Sequence, residues 1–132
     1  MEIQKILTQS KKIAVVGLSG DPSKDSYRVS KYMQQQGYRI IPVNPKYKKI
    51  LGETSYPDLR SVPEKVDIVN VFRKSESIPS FIDDVIAIKP LVLWLQLGIF
   101  DQQSVEKAKK AGITVVSDKC IKVEHSRFIK WQ

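Results

Sequence analysis

Lys12-Ile13-Ala14-Val15-Val16-Gly17-Leu18-Ser19-Gly20-Asp21-Pro22-Ser23-Lys24-Asp25-Ser26 decides the fold. Its first five residues are almost unbroken apolar, which is the pattern of a strand buried on both faces, and they run straight into glycine. Turn formers follow, and then Val29, Tyr32 and Met33 fall on one face of a helix over 26–36, with Gly37 where a C-terminal cap belongs. A buried strand, a glycine-bearing turn and a helix form the first half of a parallel β-α-β unit.

Working outward, the same alternation repeats. Strands are expected at 38–43, 66–72, 91–95 and 113–116, and helices at 77–89 (Pro79 in the first turn) and 101–111 (capped by Gly112). A leading helix over 2–9 and a closing helical turn over 121–128 complete the chain. Residues 46–65 read as irregular, with a short edge strand near Thr54-Ser55 and a helical turn near Asp58-Leu59-Arg60. Short apolar strands joined by helices require parallel pairing, and right-handed crossovers then force a doubly wound sheet. The fold class is α/β, a Rossmann-like three-layer α/β/α arrangement. With Thr54 in a degenerate third strand, the order is 3-2-1-4-5-6, and strands 12–17 and 66–72 meet at the switch point.

The chain has 132 residues, 42% of them apolar, and reads as a single domain over 1–132. No apolar run approaches the roughly 20 residues of a bilayer span, and Met1 to Lys12 lacks the apolar block of a secretory leader. Cys120 is the single cysteine, so a reducing, cytoplasmic setting is expected. His125 is the single histidine, too little for a metal cluster. The net charge of +8 is uneven: residues 1–60 carry 11 basic and 5 acidic side chains, residues 61–132 carry 11 and 9. A basic first half suits an anionic ligand as well as plain solubility. Nucleic acid is disfavoured, because no recognised nucleic-acid motif accompanies the charge and aromatics are only 8%.

Gly17 and Gly20 permit close backbone approach at the start of the first helix, where unpaired N–H groups attract anions. Ser19, Ser26, Lys24 and Arg28 stand at the same end. The stretch is neither a full dinucleotide fingerprint nor a Walker motif, and it also reads as an ordinary βα turn. After the second strand, where an NAD site expects a carboxylate, the chain has Asn44-Pro45 with Lys46, Lys48 and Lys49 close behind. That suits a ribose bearing an extra phosphate, as in coenzyme A or NADP; Asn44-Pro45 is also a common turn. Phe72 and Arg73 end the third clear strand, and Gln96 and Gly98 end the next, on the same sheet edge; Trp94 reads as core.

Val-Val-Gly-Leu-Ser at 15–19, Ser26-Tyr27-Arg28-Val29, residues 37–45 (Gly-Tyr-Arg-Ile-Ile-Pro-Val-Asn-Pro) and residues 118–125 (Asp-Lys-Cys-Ile-Lys-Val-Glu-His) together resemble the small bacterial and archaeal CoA-binding proteins. That family is similar to the CoA-binding domain of the succinyl-CoA synthetase alpha subunit. The resemblance covers about residues 8–128. It implies that Gly17, Leu18, Ser19 and Gly20 approach the phosphates of CoA or an acyl-CoA, with Lys24 and Arg28 nearby. Asn44 and Pro45 would flank the ribose phosphate, and Phe72, Arg73 and Ser75 the adenine side. The synthetase reaction also needs a phosphorylated histidine on a second domain and a partner subunit. His125 near the C-terminus reads as structural, so a binding module is expected rather than an enzyme. An NADP-binding oxidoreductase, or its cofactor-binding fragment, is the alternative, and a ligand-free protein–protein scaffold a third. Protein partners are not legible. Cys120, flanked by Lys119 and Lys122, reads either as an inert packing residue or as a thiol able to form a mixed disulfide with CoA. Asp83-Asp84 reads as a solvated pair.

Overall fold

A computed structural model describes residues 1–129; the last three residues of the expected 1–132 domain lie outside the described residues. The elements are α1 (Ile3–Gln9), β1 (Lys12–Val16), α2 (Asp25–Gln35), β2 (Arg39–Val43), β3 (Lys49–Ile50), β4 (Glu53–Thr54), β5 (Ile68–Val71), α3 (Ile82–Ile88), β6 (Val92–Leu95), α4 (Gln102–Lys110), β7 (Thr114–Val116) and α5 (Ile121–Phe128). Five strands form one parallel sheet in the order β2-β1-β5-β6-β7.

Strand residues alternate between two cores, which makes the structure three-layered. Ala14, Val16, Ile41, Val43, Val69, Val71, Leu93 and Leu95 pack against Ile82 and Val85 of α3 and Val105 and Ala108 of α4. Ile13, Val15, Ile40, Ile68, Val92 and Trp94 pack against Ile6 and Leu7 of α1, Val29 and Met33 of α2, and Ile121 of α5. Because both faces of the central strands are covered, their sequences lack a polar alternation. One carboxylate pins the register at the other end of the sheet: Asp67 Oδ2 accepts the N–H groups of Lys11 and Lys12, both at 2.9 Å.

Two expectations are corrected. The third strand does not join the sheet. Residues 49–54 fold back as an antiparallel hairpin whose two turn residues, Leu51 and Gly52, have φ of 54° and 76°, the positive values that a tight hairpin turn demands. Glu53 of β4 reaches β2 through its side chain, 3.5 Å from Arg39, but backbone pairing is a single parallel bridge, Tyr56 with Val43, with the Tyr56 N–H on the Pro42 carbonyl at 3.0 Å. Pro42 explains part of this. Its carbonyl faces that outer edge, so its missing N–H faces there too, and a continuous third strand would find no donor at that position. The expected helix over 77–89 is also divided. Ser75–Ser80 is a 3-10 segment containing Pro79, Phe81 forms the joint with φ of −128°, and α3 begins at Ile82. Proline has no N–H for an α-helical bond, so the tighter turn takes the first half.

From β1 the chain turns outward through α2 to β2, whereas from β5 it runs the other way to β6 and β7. The reversal between β1 and β5 is the topological switch point, where ligands of open α/β sheets sit beyond the strands' C-terminal ends.

Candidate functional site

Gly17 leaves β1 with φ of +86°, and a Cβ there would stand 2.6 Å from the Phe72 carbonyl oxygen and 2.9 Å from Arg73 Cδ. The loop after β1 and the loop after β5 are therefore in atomic contact. Phe72 N–H donates to the Val16 carbonyl at 2.8 Å and Gly17 N–H to the Val43 carbonyl at 3.0 Å, which joins the ends of three strands. Gly20 makes a different approach: its missing Cβ would meet the Tyr47 ring at 2.7 Å. Leu18 between them has its side chain fully buried in the α2-side core, so only its backbone is available to the loop. Ser19 N–H donates to Ser26 Oγ at 3.0 Å, and Ser19 Oγ accepts from the Asp21 N–H at 3.0 Å. The loop is thus braced from within.

Asn44 is a brace as well. Its side-chain amide donates to the Leu18 carbonyl at 3.0 Å, its side-chain oxygen accepts from the Lys46 N–H at 3.0 Å, and Ser55 Oγ donates to its carbonyl. The chain after β2 is thereby held over the chain after β1. Asn44→Ala is expected to cost about 1–2 kcal/mol of stability from two lost hydrogen bonds, read as a lower denaturant midpoint, with faster hydrogen exchange at Lys46. Pro45 and Lys46 are exposed beyond it. Lys24 occupies the cap position of α2, where no side chain caps the helix, and Arg28 reaches back to the Ser23 carbonyl and to Asp25.

The adenine-side trio does not stay together. Phe72 turns toward α2 and α5 and lines a recess of about 350 Å³ with Asp25, Gln96, Leu97, Cys120 and Val123. Arg73 turns to the opposite side of the sheet and lines a recess of about 150 Å³ with Pro45, Asp58, Phe81 and Asp84. Ser75 lies nearer the β6 loop, where its Oγ accepts from the Phe100 N–H at 2.9 Å. Consecutive residues leaving a strand point to opposite faces, which is why Phe72 and Arg73 part company. The Arg73 recess is not carboxylate-poor as the sequence suggests. Asp58 reaches it from the irregular segment, occupied by the N–H and hydroxyl of Ser61, and Asp84, read as solvated, reaches it while paired to Arg60 at 2.5 Å. The donated hydrogen bonds of Ser61 hold the Asp58 carboxyl below its usual range.

Cys120 is half-buried on the wall of the larger recess rather than sealed in the core. Gln96, beside it, is buried and donates to Asn70 Oδ1 at 2.6 Å. His125 is buried, with its Nδ1 3.0 Å from the Tyr32 hydroxyl and the Tyr32 and Tyr38 rings edge-on to it.

Sequence reasoning misses Tyr47. Its phenol pKa is lowered, chiefly by the neighbouring Ser19 side chain and then the Gly20 N–H, with Lys46 adding a smaller pull and burial and Asp21 opposing. The signal that was available is the spacing of an aromatic residue three positions beyond Asn44, on the loop that crosses the glycines.

Three comparisons bear on this geometry. The sequence model of a family described as "CoA binding domain" matches residues 11–126. "Uncharacterized protein YneT" of Bacillus subtilis is 44% identical over 125 residues, covering 95% of this chain and 93% of that protein. A solved structure, "cell-free ID.343 from Thermus thermophilus", superposes with a TM-score of 0.94 at 39% identity, covering 98% of this chain and 100% of that one. A more distant relative is an ADP-forming acetate–CoA ligase of Archaeoglobus fulgidus, 25% identical over 121 residues; 84% of this chain aligns with 18% of the ligase, so the chain spans under a fifth of that protein's length. No helix among the described residues is long and apolar enough to cross a membrane.

Proposed function

The chain belongs to the CoA binding domain family, and from that premise we propose that it binds coenzyme A or an acyl-CoA at the switch point, without synthetase activity of its own. The observation that carries the reading is the contact of the β1 and β5 loops at Gly17, beside a β2 end that presents Asn44-Pro45-Lys46 instead of a ribose-binding carboxylate. The pyrophosphate lies against residues 17–20 and the uncapped start of α2, where N–H groups and the helix dipole favour negative charge. Lys24 and Arg28 stand at the same helix end. The adenosine lies on the β2 side by Pro45 and Arg73, with its 3′-phosphate toward the exposed lysines at 46, 48 and 49 and away from Asp58 and Asp84. The pantetheine arm runs the other way, along Phe72 into the recess that holds Gln96 and Cys120.

Two points support binding without synthesis. The part of the acetate–CoA ligase that aligns with this chain is 18% of that enzyme, too small a share for the likeness to carry its whole activity over. The one imidazole here, His125, is 3% exposed and engaged by Tyr32, so it offers no surface to a phosphoryl group.

Calorimetric titration with CoA, dephospho-CoA, NADP and NAD tests the reading. CoA is expected to bind tightest, and dephospho-CoA about 10-fold or more weaker, the loss of one or two charge-assisted contacts to phosphate. Equal affinity for CoA and dephospho-CoA, with NADP tighter than both, would overturn it.

A further inference from the structure

The glycine best placed to let a phosphate approach is already covered by a side chain of the protein itself. The Tyr47 ring lies over Gly20 so closely that its Cε1, Cδ1 and Cζ atoms stand 2.7, 3.0 and 3.3 Å from where a Cβ would be. Ser19 and the Gly20 N–H are close enough to its phenol to lower the phenol's pKa. Gly20 has an ordinary negative φ, so the absence of a side chain there answers to this ring and not to backbone conformation.

We propose that Tyr47 is a displaceable gate over the phosphate loop: its phenol occupies the seat of a ligand phosphate oxygen in the free protein and swings away when CoA binds. This rests on the CoA reading above and adds a residue that the reading does not contain. The exchange runs in the ligand's favour because a phosphate is charged and the phenol is neutral; a charge-assisted hydrogen bond is roughly twice as strong as a neutral one. The ring is half-buried and rests against the edge of the α2-side core, and its other ties are weak. The Tyr47 N–H reaches the Asn44 carbonyl at a long 3.3 Å, Lys46 Nζ stands 6.0 Å from the ring centroid, and Lys46 and Lys48 on either side are exposed. Behind the ring, Asn44 is tied to Leu18 and Lys46, so the movement is confined to the residues beyond it. A closed gate lowers apparent affinity by the fraction of molecules that are open, and it spares the free protein unpaired donors at its loop.

The test is a titration of wild type, Tyr47→Phe and Tyr47→Ala with CoA and, separately, with inorganic pyrophosphate, each variant's melting temperature being recorded. Tyr47→Phe keeps the ring and removes the competing oxygen, so its affinity for CoA should rise about 2- to 10-fold, the worth of one ordinary hydrogen bond. The gain should lie in the association rate, and pyrophosphate should show the same rise. Unchanged or weaker binding by Tyr47→Phe, in a variant that melts like wild type, overturns the gate and makes the phenol a bystander or a ligand contact. Tyr47→Ala covers the case in which the phenylalanine packs down on the loop: its association rate must exceed that of wild type, or the gate is again overturned. If CoA binds to none of the three while pyrophosphate binds with the expected order, the CoA reading fails and the gate stands; if neither probe binds to any, both fail.

Discussion

Gly17→Ala is expected to unfold about 2–4 kcal/mol more easily than wild type, the largest loss of any single-methyl change at the switch point. Two costs combine. The φ of +86° is open to glycine and strained for any L side chain, at about 1 kcal/mol or more. The new methyl would also stand 2.6 Å from the Phe72 carbonyl oxygen, a backbone atom whose peptide is fixed by the Phe72 N–H to Val16 bond. Overpacking against something that cannot move costs about 1–3 kcal/mol. The Arg73 side chain at 2.9 Å is flexible and yields cheaply. Gly20→Ala makes the instructive contrast, because its neighbour is the Tyr47 ring and its φ is ordinary; a loss of about 1 kcal/mol or less is expected. Denaturant midpoints of both variants, with unchanged slopes, check the ordering. A Gly17→Ala midpoint equal to wild type would mean that the β1 and β5 loops do not meet as described.

That contact was legible from the sequence for a reason. Parallel strands covered on both faces announce themselves as apolar runs, and the handedness of crossovers leaves few ways to order them. Runs 12–17 and 66–72, read as strands on either side of a reversal, bring Gly17 and Phe72 to one edge without further information. What failed depends on loops. Pro42 blunting the outer edge of β2, and a hairpin turning at Leu51-Gly52, leave no periodic trace, so the third strand looked available. Pro79 marks the start of a helix equally well whether the first turn is α or 3-10.

At the site, the positions of residues 17–20, 44–45 and 72–73 at one sheet end follow from topology alone. Their side-chain roles do not. Leu18 lies in a glycine-flanked loop yet is core, Asn44 braces the loop from behind, and Asp84 is turned into a recess by its bond to Arg60. Tyr47 could be placed over Gly20 only once the path of the β2 loop was known.

Trp94→Ala should be the most damaging substitution in the chain, at about 3–5 kcal/mol, the usual cost of emptying a fully buried aromatic site. Trp94 is 0% exposed on β6, in register with Asn70 on one side and Val116 of the edge strand on the other. Its indole N–H donates to the Lys119 carbonyl at 2.8 Å, across the sheet to the link between β7 and α5. That single bond ties the start of α5, with Cys120 and Val123, to the floor beneath the larger recess. Trp94→Phe separates packing from tethering, because a ring still fills much of the space while the Lys119 carbonyl loses its donor. A cost of about 1–3 kcal/mol is expected for the unpaired carbonyl and the residual void. The effect should be local before it is global: the start of α5 loosens, and Cys120 reacts faster with a disulfide reagent at denaturant concentrations where the sheet is still intact. Measuring that rate against the melting transition tells the two apart. If thiol reactivity rises only in step with global unfolding, the indole bond does not set the position of α5, and the recess wall is held by the Ile121 side chain in the core instead.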